Sequence, residues 1–212
     1  MQTILVANPK GGSGKTTLAT NIAGWLAGKR QRVVLRDLDS QRSSAEWLER
    51  RPALFPRIAG LPRDEKHGPK DSGHDWRVVD TAAGLHGDDL RDAVRRADVM
   101  FVPLTPSAFD MAATRHFLAA IHEHKAVRKG ELALGIVAMR VDPRTRSAAE
   151  LDVFLEEFEF PVVAHLRDTQ VYVHCARDGA SIFDLPRSRG EQDWQQWKPL
   201  TRWIARHAAR KD

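Results

Sequence analysis

The chain of 212 residues carries a single cysteine, Cys175. One thiol forms no disulfide within the chain, so a stapled scaffold is excluded and a reducing compartment is indicated. One thiol also cannot hold an iron–sulfur cluster. No stretch approaches the ~18 apolar residues that cross a bilayer. The first residues, Met1-Gln2-Thr3-Ile4-Leu5-Val6, lack both the basic start and the apolar run of a secretory leader. A soluble, cytoplasmic protein without stable membrane insertion is therefore expected. Internal repeats and low-complexity tracts are missing too. Hydrophobic residues at 42% argue against wholesale disorder. The length suits one α/β domain over residues 1–212 better than two.

Neither sign of charge dominates: 33 basic side chains face 28 acidic ones, a net +5. The excess is local. Pro186 to Asp212 holds Arg187, Arg189, Lys198, Arg202, Arg206, Arg210 and Lys211 against Glu191, Asp193 and Asp212, a net +4. A basic segment of this kind points to a polyanionic partner, nucleic acid or a membrane surface.

Strand and helix patterns alternate along the chain. Strands are expected over Thr3–Asn8, Arg32–Asp37, Trp76–Asp80, Val99–Leu104, Leu132–Met139 and Pro161–Ala164. Helices are expected over Lys15–Gly28, Gln41–Arg50, Ser107–Val127 and Ser147–Phe158. Such alternation implies βαβ units, with a mainly parallel sheet flanked by helices on both faces. Pro52–Asp75 breaks the pattern with four prolines and three glycines and reads as a long surface excursion.

Lys10-Gly11-Gly12-Ser13-Gly14-Lys15-Thr16-Thr17 follows the first strand and opens the first helix. Glycines let successive N–H groups turn inward on one anion, and the helix N-terminus adds partial positive charge. In such a loop Lys15 reaches the β- and γ-phosphates, the Thr16 hydroxyl ligates Mg²⁺ and Thr17 touches the α-phosphate. The strict G-x-x-x-x-G-K-[ST] pattern is not met, because Pro9 stands at its first glycine and Lys10 is an added cation.

This K-G-G-x-G-K-T-T box resembles the deviant Walker A loop of the ParA/MinD ATPases. The resemblance implies a three-layer P-loop NTPase fold and ATP with Mg²⁺ as cofactors. It also implies a homodimer that sandwiches two ATP molecules, with Lys10 reaching the partner's phosphates. Gly11, Gly12, Ser13, Gly14, Lys15, Thr16 and Thr17 would form the phosphate cradle.

Asp37-Leu38-Asp39-Ser40-Gln41 resembles the family's D-x-D-x-Q segment. Strand alternation places Asp37 and Asp39 on one side of the second strand. The resemblance assigns Asp39 to water positioning and catalysis with Lys10 and Lys15, and Asp37 to the neighbourhood of Mg²⁺. Capping of the next helix by Asp39 or Ser40 is a compatible structural role. Asp80-Thr81-Ala82-Ala83-Gly84 resembles Walker B, with Asp80 binding Mg²⁺ through water and Thr81–Gly84 sensing the γ-phosphate. The likeness extends through Ala97–Ser107, Val141–Arg146 and Arg167–Phe183. Met139, Arg167 and Asp168 are candidates for contacts to the rest of the nucleotide. Met139-Arg140 stands where many relatives have an asparagine that touches adenine.

In the basic tail, Trp194, Trp197, Leu200, Ile204 and Ala208 form an apolar stripe opposite Lys198, Arg202, Arg206 and Arg210. An amphipathic helix near 191–210 is expected, with Pro199 in a first helical turn. The expected reading is a short ParA-type ATPase without a preceding helix-turn-helix domain, nucleoid-associated through sequence-independent DNA contacts by Lys198, Arg202, Arg206 and Arg210. It would position a plasmid, chemotaxis array or microcompartment, and a ParB-like or cargo-adaptor protein would stimulate its slow hydrolysis. The alternatives are a MinD-like membrane-associated helix and a metabolic P-loop ligase, for which Lys10 has no use.

Overall fold

The computed structural model describes residues 1–61 and 73–208. Seven strands form one parallel sheet: β1 (Gln2–Val6), β2 (Val33–Asp37), β3 (Ile58–Leu61), β4 (Trp76–Asp80), β5 (Val99–Leu104), β6 (Ala133–Ala138) and β7 (Val162–His165), in the order β3-β2-β4-β1-β5-β6-β7. Parallel strands covered on both faces must be apolar on both faces. All six residues of β5 are accordingly buried.

Among the described residues, eight α-helices accompany the sheet: α1 (Lys15–Gly28), α2 (Ser43–Glu49), α3 (Gly87–Arg96), α4 (Ala108–His122), α5 (Lys125–Arg128), α6 (Arg146–Leu155), α7 (Gln170–Arg177) and α8 (Arg187–Ala208). One core lies between the sheet and α1, α2 and α8, with Leu18, Ile22, Trp47, Trp197 and Ile204 at its centre. The other lies under α3, α4 and α6, around Leu90, Val94, Leu118 and Leu151. The three-layer arrangement expected from the sequence is the observed one. No helix among the described residues is long and apolar enough to cross a membrane.

Several boundaries move. Within the supposed excursion Pro52–Asp75, Ile58–Leu61 pairs in parallel with Val33–Arg36 as an edge strand. Four residues between prolines carry too little periodicity to announce it; the segment 62–72 lies outside the described residues. The expected helix 107–127 breaks at Glu123–His124, and α5 restarts beneath a cap in which the His124 ring accepts the Ala126 N–H. The last helix begins at Arg187, so Pro199 lies in its interior rather than its first turn. Proline there cannot donate to the carbonyl of Gln195. Both residues are on the exposed side, where water meets the freed carbonyl.

Candidate nucleotide site

β1 delivers the chain to the carboxyl edge of the sheet, where ligand sites of parallel α/β folds lie. The backbone reverses through Gly12 (φ 78°) and Gly14 (φ 95°) before α1 starts at Lys15. Side chains rarely adopt these angles. A Cβ at Gly14 would also approach the Met139 side chain to 2.9 Å. The first turn of α1 carries no acidic residue, so its amide N–H groups face the loop uncompensated.

Lys15 is 7% exposed, and its ammonium donates to the Lys10 carbonyl at 2.7 Å. Burial lowers its pKa, opposed by the charges of Asp80, Asp39 and Asp110. The Ser13 hydroxyl donates to the same carbonyl at 3.2 Å. The half-buried Lys10 side chain makes no hydrogen bond or ion pair among the described residues.

Asp80 ends β4 directly beside Asp37 at the end of β2. It is fully buried, and neither carboxylate oxygen completes a hydrogen bond; the buried Ser44 hydroxyl is in the same condition. Burial pushes the Asp80 carboxyl up to about 7. The Thr16 hydroxyl opposes that rise, the Asp37 charge adds to it, and Ser44 and Lys15 oppose it in turn. Orphaned, hard oxygen atoms facing a phosphate loop fit Mg²⁺. This ion uses one or two carboxylates and fills its remaining positions with water and phosphate oxygen. No larger cluster of metal-ligating side chains occurs among the described residues.

Asp37 has a second job that the pattern did not reveal. Its Oδ2 accepts the Ser44 and Ala45 N–H groups, both at 2.9 Å, and its Oδ1 accepts from Asp39 N–H at 2.8 Å. The cap of α2 thus belongs to Asp37 and not to Asp39 or Ser40. β2 stops at Asp37, so strand alternation does not reach Asp39. Asp39 instead sits half-exposed in a turn, its Oδ1 accepting the Gln41 N–H at 3.0 Å, with its charge acting on Lys15. Beyond Asp80, the Thr81 hydroxyl donates to the Val6 carbonyl at 3.0 Å, and Gly84 N–H donates to the Pro9 carbonyl at 2.9 Å. The γ-phosphate-sensing candidate is thereby tied to the phosphate loop itself.

The remaining candidates separate. Met139 is buried against Gly14. The Arg167 guanidinium grips Asp193 of α8 at 2.8 and 3.2 Å, and the Arg167 backbone N–H donates to Gln196 Oε1 at 2.9 Å; Asp168 beside it is exposed. In α8, Trp197, Leu200 and Ile204 are fully buried while Lys198, Arg202 and Arg206 are exposed. Arg210 lies outside the described residues. Sequence reading missed Ser44, Asp110 and Asn8. Of these, Asn8 alone left a trace in the sequence, as the polar residue that ends an apolar run just before the loop; its partners left none.

The sequence matches the family described as the CobQ/CobB/MinD/ParA nucleotide binding domain over residues 4–181. It is 32% identical over 188 residues to "Maintenance of carboxysome distribution protein A" of Gloeobacter kilaueensis, covering 84% of this chain and 82% of that protein. It is 29% identical over 199 residues to the protein of the same name from Halothiobacillus neapolitanus, covering 90% and 91%. The apo structure of Cyanothece McdA superposes with a TM-score of 0.75 at 15% identity, covering 94% of this chain and 99% of that one.

Proposed function

Because the chain belongs to the CobQ/CobB/MinD/ParA nucleotide-binding family, we propose that it is a ParA-type ATPase that closes into a dimer on ATP and positions a cargo on DNA. The observation that carries this reading is the contrast between the two loop lysines. Lys15 is buried and docked within its own subunit, whereas the Lys10 side chain has no partner there among the described residues. A cation held at the rim of a triphosphate site and unused by its own subunit suits a phosphate presented by a second copy.

In this reading the N–H groups of Gly11–Gly14 and the start of α1 surround the β- and γ-phosphates, Lys15 leaves the Lys10 carbonyl for them, and Thr17 meets the α-phosphate. Asp80 and Thr16 hold Mg²⁺, with Asp37 shaping the charge beside them; the ion neutralises phosphate charge when bound. Asp39 orients the attacking water. Asp39 orients water rather than acting as a strong base, so intrinsic turnover is slow and rises when a ParB-like or adaptor protein binds. Met139, Arg167 and Asp168 remain the proposed contacts to base and ribose, Arg167 through its anchorage on α8. The carboxysome-distribution relatives favour a microcompartment as cargo. Lys198, Arg202 and Arg206, with Arg210, would meet DNA phosphates and place the protein on the nucleoid. The tryptophan side of α8 is packed on the core, which favours DNA over a membrane.

Lys10→Ala tests the carrying observation. Nucleotide affinity should stay within about threefold while turnover falls roughly 100-fold, as for loss of one preorganised contact to developing charge. Unchanged turnover would remove the role assigned to Lys10.

A further inference from the structure

Asn8 is 1% exposed and stands between β1 and the phosphate loop. A buried carboxamide must be satisfied on both ends, and the two ends of this one face different parts of the molecule. Its Nδ2 donates to the Pro103 carbonyl at 2.8 Å, at the end of β5, and to Thr114 Oγ1 at 3.0 Å, in the middle of α4. Its Oδ1 accepts the Lys10 N–H at 2.8 Å. The partners on the rigid side are themselves fixed, since β5 is buried along its length and Thr114 is fully buried.

The Lys10 peptide is therefore held from several directions. Its N–H is bound by Asn8 and its carbonyl receives Lys15 Nζ and Ser13 Oγ. One residue earlier, the Pro9 carbonyl receives the Gly84 N–H. Pro9 matters in this arrangement. Its ring fixes φ and it has no N–H, so the bond from Lys10 N–H to Asn8 is the first side-chain tether the loop has after the strand.

We infer that Asn8 is a positioning residue for Lys10: its carboxamide clamps the Lys10 backbone to β5 and α4 and so sets where the Lys10 ammonium projects from the loop. The inference rests on the reading that Lys10 acts on phosphate in the closed dimer. Asn8 touches no reacting group; it acts only through the lysine. Removing the clamp lets the Lys10 peptide rotate, and displacement of a group by about 1 Å costs on the order of 100-fold in rate. The cradle formed by Gly11–Gly14 and Lys15 loses none of its own groups.

A double-mutant cycle on the full chain tests this, with ATP affinity measured by titration and turnover by phosphate release. Asn8→Ala should lower kcat about 10- to 100-fold and leave the ATP dissociation constant within about threefold. The pair Asn8→Ala/Lys10→Ala should be no slower than Lys10→Ala alone. Thr114→Val, which removes one of the two anchors of the amide and keeps the volume, should show the same kcat loss at smaller size, and it serves where Asn8→Ala does not fold. Losses that add across the cycle, or a loss of ATP affinity in step with kcat, would show that Asn8 merely supports the fold and would overturn the inference. Normal turnover in Lys10→Ala would overturn both the inference and the dimer reading beneath it, whereas a slow Lys10→Ala with additive losses would overturn the inference alone.

Discussion

Asp80 concentrates the chemistry of the site because it is a buried carboxylate with no completed hydrogen bond. Its pKa in the folded protein lies above the ordinary value, so the fold retains a proton that the unfolded chain releases. The resulting stabilisation is complete below the ordinary value of 3.8 and is lost as pH rises to about 7. Asp80→Asn removes the charge and keeps the shape. Without nucleotide, this variant should be more stable than the parent at pH 8 by on the order of 3 kcal/mol, and the gap should close toward pH 4; urea denaturation at both pH values measures it. The variant should nevertheless lose Mg²⁺-dependent hydrolysis. Lys15 supplies the opposite case. On the proposed reading its ammonium would be half of a charge-assisted contact to phosphate worth about 1.5–3 kcal/mol, so Lys15→Ala should weaken ATP binding roughly 10- to 100-fold. Near-normal affinity by titration would move the phosphate site away from this loop.

At the scale of elements, α8 divides its residues by face. Trp197 is fully buried, stacks edge-on against Phe183 and donates its indole N–H to the Tyr172 hydroxyl at 2.8 Å. Trp197→Ala should therefore cost on the order of 3–5 kcal/mol of stability, read as a fall in the denaturant midpoint. Replacing Arg202 and Arg206 by Glu should leave stability and ATP binding unchanged and abolish DNA binding. In the parent, log K should fall with log salt by roughly 0.9 for each phosphate neutralised. A mobility shift with ATP reports this, and liposome co-sedimentation that replaces it would favour the membrane reading. The sequence showed the stripe of α8 but not its start. Arg187–Gly190 lack apolar periodicity; their helical turn is completed by tertiary contacts, since Trp194 and Trp197 dock on the 3-10 turn Ile182–Asp184 and the core, together with the Arg187–Glu191 ion pair. Ile58–Leu61 became a strand for the same reason, through pairing with β2. The phosphate loop was legible because its glycines and lysines are dictated locally. The Asp37 cap, the Ser44 hydroxyl and the Asn8 clamp were not, since each depends on atoms brought together by the sheet.

On the scale of the whole molecule, the candidate phosphate and Mg²⁺ residues converge on one edge of a parallel sheet. Asn8, the loop, Asp37, Asp39 and Asp80 all lie at or just past the carboxyl ends of β1, β2 and β4, and the basic face of α8 looks outward elsewhere. On the proposed reading, such a subunit would bind a nucleotide alone but use Lys10 only when paired. The most direct test is the mass of Asp39→Ala in solution by light scattering, with Mg²⁺ and either ATP or ADP. Loss of the carboxylate proposed to orient water should trap the closed state, giving twice the monomer mass with ATP and the monomer mass with ADP. A monomer in ATP at all concentrations, or a dimer indifferent to the nucleotide, would contradict the account.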